Sequence, residues 1–324
     1  MRDTVDTLHY YPMLLKPRFK DYLWGGDRIV KAFHKVDAPS PLAESWEVSD
    51  RKDEQSIIEN GPYQGKTLHE LFEILGSQAL LGYEGAHAFP LLIKILDAKE
   101  RLSVQVHPSE EQSSEPKTEM WYILAAQKGA YVYAGLKEGT QMSDLRQAAT
   151  NSTLPELLEK VPVSASDVLY IPAGTVHAIG PGCLILEVQQ SSNSTYRLYD
   201  WDRVGPDGKP RELHLTEGLA CTQLDAPWTI TKERPVKDKG AYSVEKLLQA
   251  KYFNLDKFTF KEDIRLQSTG RAQVFFVEKG EIEFRTDSHS LKLKKGQTML
   301  MPAAGEGLLV HPLKESSAIR ILIP

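Results

Sequence analysis

The chain has 324 residues, a net charge of −5 and 26% charged residues, an ordinary soluble composition that is long enough for two domains. It has no long basic run, which argues against nucleic acid or an anionic membrane surface as a partner. Its two cysteines, Cys183 and Cys221, exclude a disulfide framework; with no leader-like N-terminus and no stretch of membrane-crossing length, a cytoplasmic location is expected by default.

Residues 10–60 read as short strands and turns, because Pro12, Pro17, Gly25, Gly26, Pro39 and Pro41 leave no room for a long helix. Within them Ala43–Val48 alternates as a strand with Glu44 and Trp46 on one side, a pattern that suits an aromatic packed on a barrel wall more than a substrate role. Thr67 to Gly82 is the clearest helix: Thr67 and Glu70 form a capping box, Leu68, Leu71, Phe72 and Leu75 make one stripe, and Gly82 suits the end. Phe89 to Ala98 is a continuous apolar run, the pattern of a strand buried on both faces, broken by Lys94. The lysine either sends its head to the surface or meets an anion in a pocket.

Leu102, Val104 and Val106 alternate with Ser103, Gln105 and His107, so one strand presents Gln105 and His107 on the same face. Pro108 ends that strand, and a polar loop leads to Glu119. An amide oxygen, an imidazole and a carboxylate are three possible ligands for a divalent metal. His177, far downstream, is a fourth. On this stretch alone, two polar residues on a strand face equally well point at water.

Met120–Leu124 and Tyr131–Leu136 form a hairpin around Gly129. Residues 143–161 read as helical turns, with Thr153, Pro155 and Glu156 as a helix start. A strand at 167–171 runs into a Pro172-Ala173-Gly174-Thr175-Val176-His177 turn, and Cys183–Gln190 is a further strand. Residues 206–210 are a turn-rich break, and 213–240 read as irregular. Short strands return from Tyr252 onward. Gly296–Gly305 echoes Asp167–Gly174 (strand, proline, small residue, glycine) but lacks the histidine, which suggests two related barrels, one with ligands and one without.

Gln105-x-His107-Pro108, Lys117-x-Glu119, Pro172-x-Gly174-x-x-His177 and Arg197 together resemble the type I phosphomannose isomerase family, in its compact bacterial branch, from Pro17 to the C-terminus. The Gln-x-His-Pro and Lys-x-Glu pair is specific, whereas Pro-x-Gly-x-x-His occurs throughout cupins. The resemblance implies a mainly β fold of two cupin-type (jelly-roll) barrels with a few short helices. A catalytic cupin domain with the N-terminal strands would occupy 1–235, and a degenerate cupin domain without metal ligands 236–324. One zinc ion per chain would be held by Gln105, His107, Glu119 and His177. Arg197 would match the arginine at the reacting end of the sugar, Lys94 and Lys117 the pocket lysines, and Glu187 a carboxylate for acid–base work. Lys117, Glu187 and Arg197 are thus the implied catalytic residues, and Lys94, Lys117 and Arg197 the implied substrate contacts.

The implied reaction interconverts mannose 6-phosphate and fructose 6-phosphate by proton transfer through an enediol(ate). The implied partner is a small-molecule sugar phosphate, and the chain is expected as a monomer or weak homo-oligomer. Thr195–Arg203, TYRLYDWDR, departs from the Arg-Ala/Gly-Gly form of the longer relatives, so the phosphate contacts stay open. The alternatives are a metal cupin isomerase acting on another sugar phosphate and a non-catalytic sugar-binding cupin. An oxygenase is disfavoured, since iron cupins prefer histidine-rich sites and a glutamine ligand argues against that.

Overall fold

The computed structural model describes residues 8–35, 37–52, 54–205 and 208–324. Residues 1–7 and Pro206, which carry part of the reading of the N-terminus and of the 206–210 break, lie outside them. The chain is mainly β, with a few helices, and divides into two units, each built around a pair of antiparallel sheets of the cupin type. One unit comprises Phe19–Trp46 and Leu91–Glu233; the other comprises residues 8–18, Glu47–Pro90 and Arg234–Pro324. The chain passes between them at 18–19, 46–47, 90–91 and 233–234, where the sequence alone suggests a single break near 235. Among the described residues, no helix is long and apolar enough to cross a membrane.

The larger sheet, which lies in the unit built from 19–46 and 91–233 apart from the ends of its last two strands, has the order Thr229–Thr231, Val168–Ile171, Glu119–Ala126, Cys183–Gln190, Leu91–Ala98, Glu44–Val48, Arg18–Lys20. The smaller sheet has the order Leu158–Pro162, Tyr131–Leu136, His177–Ile179, Val104–Val106, Tyr196–Tyr199. The interior follows from the two-residue period of each strand. Leu96, Trp121, Ile123, Leu169 and Ile185 of the larger sheet share one core with Val132, Ala134, Val161 and Ile179 of the smaller. The outer face of the smaller sheet, through Val104, Val106, Ala178 and Leu198, packs against Leu145 and Ala148 of the helix Met142–Thr150 and Leu219 of the helix Leu215–Cys221. With both valines turned to the helices, Gln105 between them must face the interior.

Two stretches differ from the sequence reading. Residues 143–161 hold the helix Met142–Thr150 and a 3-10 turn at Leu154–Leu157, but Leu158–Pro162 is a strand paired with Tyr131–Leu136. Its burial, Leu158 and Val161 in and Glu159 and Lys160 out, has a spacing of three rather than two, which period alone reads as a helical turn. Residues 213–240 contain the helix Leu215–Cys221, which is too short to persist without the sheet beneath it.

In the other unit, an eight-stranded sheet runs Val236–Asp238, Tyr242–Gln249, Asn254–Phe260, Ser316–Leu322, Gln273–Lys279, Thr298–Met301, Met13–Lys16, Ile57–Ile58. A four-stranded sheet, Ile264–Leu266, Leu308–Pro312, Glu281–Arg285, Ser290–Lys294, shares a core with it through Phe258, Phe275, Met299, Phe284, Leu293 and Val310. Met13 sits opposite Leu300, so the first described strand completes the sheet that carries the 296–305 echo. The helix Leu68–Leu81 starts with the expected Thr67–Glu70 capping box and ends at Gly82 in the left-handed region, φ 92°. It bends at Gly76, whose φ of 74° no helical residue shares.

Candidate active site and metal centre

The register of the smaller sheet sets three of the expected site residues in a row. Gln105 lies opposite His177 on one neighbouring strand and opposite Arg197 on the other. Directly opposed residues share a face, so all three side chains point into the unit. On the larger sheet Glu187 lies opposite Lys94 on one side and Trp121 on the other. Glu119 precedes Trp121 by two and shares its face. The two rows therefore look at each other across the same interior.

The loops hold these rows in place. The Lys117 amide donates to the Pro108 carbonyl at 3.0 Å, closing the polar loop and returning Glu119 to His107. Gly174, at φ 84°, lets the Pro172–His177 turn close, and its amide donates to the His107 carbonyl at 2.9 Å. A side chain there would strike Gln223 at 2.7 Å. The Ala173 amide donates to Thr118 Oγ1 at 3.2 Å, tying the same turn to the Lys117–Glu119 segment.

His107, Glu119 and His177 are buried, and their ligating atoms lie within 4.8 Å of one another. His107 Nδ1 donates to the Ser194 carbonyl at 2.9 Å and His177 Nδ1 to the Thr175 carbonyl at 2.8 Å. Carbonyls only accept, so each ring carries its proton on Nδ1 and turns Nε2 inward. Burial, and then the Lys117 ammonium, push His107 down to about 3. Burial likewise lowers His177. Both Nε2 atoms therefore present bare lone pairs, each 3.4 Å from a Glu119 oxygen.

Burial would raise the Glu119 carboxyl, but the Lys117 ammonium 2.9 Å away, together with His107 and His177, outweighs it and holds the group well below the ordinary carboxylate range. Among the described residues, His107 Nε2 and both Glu119 oxygens have no aligned hydrogen-bond donor. Two lone pairs and a carboxylate converge with no proton between them, which is repulsive as it stands. A divalent cation at their centre removes the repulsion, so the donor set fits a metal. Gln105 Nε2 is 3.3 Å from His177 Nε2, and a half-turn of the amide brings its oxygen to that place as a fourth donor.

Lys94 does meet an anion, and the anions are protein carboxylates. Its Nζ lies 3.6 Å from Glu44 and 3.4 Å from Glu187, with a side chain 6% exposed, and 5.0 Å above the Trp46 ring. Burial alone would lower the ammonium; Glu44 and Glu187 outweigh it and raise it. Glu187 is raised above its ordinary value by burial and by Glu119, which Lys94 only partly offsets. The indoles fix both carboxylates: Trp46 Nε1 donates to Glu44 at 2.6 Å and Trp121 Nε1 to Glu187 at 3.2 Å.

Lys94, Gln105, Lys117, Glu187 and Arg197 line one cavity of about 300 Å³. His107, Glu119 and His177 are buried beside it, in contact with Lys117 and Gln105. The sequence reading favoured wall packing over a substrate role for the Glu44–Trp46 pair, yet Glu44 lines the pocket; it missed Tyr22, Trp24, Ser103, Asn193, Thr195 and Arg211 on the lining. Ser103 was within reach, since it alternates with Gln105 and His107 on one face. Arg211 carries no periodic signal.

The model of the phosphomannose isomerase type I catalytic domain matches residues 13–134, a span that includes Glu44, Lys94, Gln105, His107, Lys117 and Glu119. A mannose-6-phosphate isomerase of Bacillus subtilis is 35% identical over 299 residues, 90% of this chain and 93% of the relative. The chain belongs to the type I mannose-6-phosphate isomerase family. A family member from Streptococcus mutans is 34% identical over 297 residues, covering 90% of this chain and 92% of its own length. The crystal structure of the mannose-6-phosphate isomerase from Bacillus subtilis superimposes with a TM-score of 0.88 at 29% identity, over 96% of this chain and 99% of that one. The isomerase fold is thus shared along nearly the whole chain.

Proposed function

We propose that this enzyme interconverts mannose 6-phosphate and fructose 6-phosphate, with zinc held by Gln105, His107, Glu119 and His177. The observation that carries the reading is the pair of unprotonated Nε2 atoms facing the Glu119 carboxylate beside a polar cavity. Family membership supplies the substrate class. The unit of Phe19–Trp46 and Leu91–Glu233 contributes every residue lining the cavity and is read as the catalytic cupin.

When bound, the metal supplies a positive charge that favours an enediolate over the neutral sugar. The remaining tasks fall to the chain. Glu187, dry and raised above its ordinary pKa, suits a carboxyl that takes the proton from one carbon and returns it to the next. Trp121 holds that carboxyl at a fixed angle. Lys117 keeps Glu119 ionised and offers an ammonium to the sugar oxygens. Arg197 stays charged and donates from the opposite sheet. Lys94 bridges Glu44 and Glu187 and offsets their mutual repulsion.

The test is an assay of purified enzyme with mannose 6-phosphate, reading fructose 6-phosphate, before and after chelation and zinc return. Turnover that chelation stops and zinc restores is expected. A folded, zinc-loaded sample with no turnover would refute the reading and favour a sugar-binding cupin or another sugar phosphate.

A further inference from the structure

The cavity has two electrostatic ends. At the metal end every ammonium faces carboxylates: Lys94 lies within 3.6 Å of Glu44 and Glu187, and Lys117 within 2.9 Å of Glu119. Those lysine side chains are 6% and 5% exposed, so little of either is open to an incoming charged group. The other end is different. Arg197 and Arg211 both line the cavity, and Arg203 stands behind Arg211. One carboxylate, Asp200, serves Arg203 and Arg211 together: Arg211 donates Nε to Oδ2 at 2.7 Å and Nη2 to Oδ1 at 2.5 Å, and Arg203 donates Nη2 to Oδ1 at 2.5 Å.

The Arg203 guanidinium is otherwise spent on the Arg101 and Asp200 carbonyls. Arg197 gives Nη1 to the Glu212 carbonyl at 2.8 Å, while its Nε is buried with no partner among the described residues. Burial and then the neighbouring Arg211 push the Arg197 guanidinium below its ordinary value, as expected where like charges crowd. Asp200 grips Arg211 on one edge of its guanidinium, and among the described residues Nη1 on the other edge carries no hydrogen bond. The Arg211 side chain is 35% exposed, at the mouth rather than the floor.

We propose that Arg211, braced by Asp200 and with Arg197 beside it, anchors the phosphate of the sugar phosphate at the mouth of this cavity. This rests on the isomerase reading above and deepens it. A phosphate monoester carries about −1.5 to −2 at neutral pH, and three guanidiniums against two carboxylates, Asp200 and Glu212, leave net positive charge to meet it. A planar guanidinium held on one edge and open on the other presents its donors with little left to order, which suits an anchor. The phosphate then sits at the open end, and the carbons to be isomerised lie toward Glu187 and the metal ligands.

The test uses the zinc-loaded full chain and its Arg211→Gln variant. The variant is expected to raise KM for mannose 6-phosphate about 10- to 100-fold with kcat held within about threefold. Affinity for inorganic phosphate, measured by inhibition and by calorimetry, should fall by a similar factor. Arg211→Lys keeps a charge but gives up the two-pronged contact with Asp200, so it should fall between the two. KM and phosphate affinity within about twofold of wild type, in a folded variant with full zinc, would overturn the proposal. So would a KM change that comes with lost zinc, since that makes Arg211 structural. If the wild type does not turn over mannose 6-phosphate, the isomerase reading fails, and phosphate calorimetry on the two proteins still decides Arg211.

Discussion

Lys94 and Glu187 occupy directly opposed positions on adjacent antiparallel strands, with Nζ 3.4 Å from Oε1. Each interrupts the apolar run of its strand, residues 91–96 and 183–188, and each makes the other tolerable. With Glu44 at 3.6 Å, one ammonium faces two buried carboxylates. Removing the ammonium alone should therefore hurt more than removing it with a carboxylate. Lys94→Met is expected to cost about 3–5 kcal/mol in urea unfolding, as broken buried pairs do. Lys94→Met with Glu187→Gln should lose less than the sum of the two single changes by about 1–3 kcal/mol. Strict additivity would mean that the pair does not interact.

Glu187→Gln keeps the shape and the Trp121 contact but removes the group assigned to proton transfer. Zinc content should stay at one per chain, and kcat should fall about 10²- to 10⁴-fold. The wild-type pH profile should carry the same signature. A base must be deprotonated to act, so kcat/KM should rise with pH through a pKa above the ordinary 4.5, the direction in which burial moves Glu187. A variant with near wild-type kcat would move the proton to another group.

Strand alternation made part of the candidate site legible, while Lys117, Glu187 and Arg197 entered only through the family resemblance. Once Val104 and Val106 are apolar, Gln105 must face the other way, and a buried lysine in a strand demands a counter-charge. The capped helix from Thr67 was legible for a similar local reason: its signals lie within one turn of its ends. What stayed hidden depends on which strands pair. Nothing local says that Arg197 lies opposite Gln105, or that Glu44 reaches Lys94, because those contacts follow from sheet order across long sequence separations. Arg211 is hidden for another reason. It follows a turn with no period, and only the bonds to Asp200 give it a direction. The strand Leu158–Pro162 and the helix Leu215–Cys221 are too short for their own periodicity to decide, and tertiary packing decides instead.

The convergence of His107, Glu119 and His177 makes a stability prediction separate from activity. A metal that binds only the folded chain stabilises it by about 2.7 kcal/mol at free metal 100 times Kd. At about 2–4 °C per kcal/mol for a large domain, stripping it should lower Tm by roughly 5–10 °C, and zinc should restore it. His107→Ala removes one of the inward Nε2 donors, so its Tm should no longer respond to zinc and its bound zinc should fall well below one per chain. Full zinc retention by that variant would exclude His107 as a ligand.

Asp200 sets the acid limit of the pocket mouth. Burial would raise its carboxyl, but the bonds from Arg211 and Arg203 outweigh burial and hold it below the ordinary 3.8. A carboxyl that takes its proton less readily when folded adds stability that is complete above the unfolded pKa and drains away as pH falls through the folded one. Asp200→Asn carries no such proton. The stability difference between wild type and Asp200→Asn should therefore be flat from pH 7 down to about 5 and shrink below about pH 4. Denaturant unfolding of both proteins across that range measures it. The same variant frees Arg211 from its brace, so at neutral pH its KM for mannose 6-phosphate should rise while its zinc content holds. A stability difference that grew on acidification would mean that Asp200 is held protonated and that the arginines do not face it in solution.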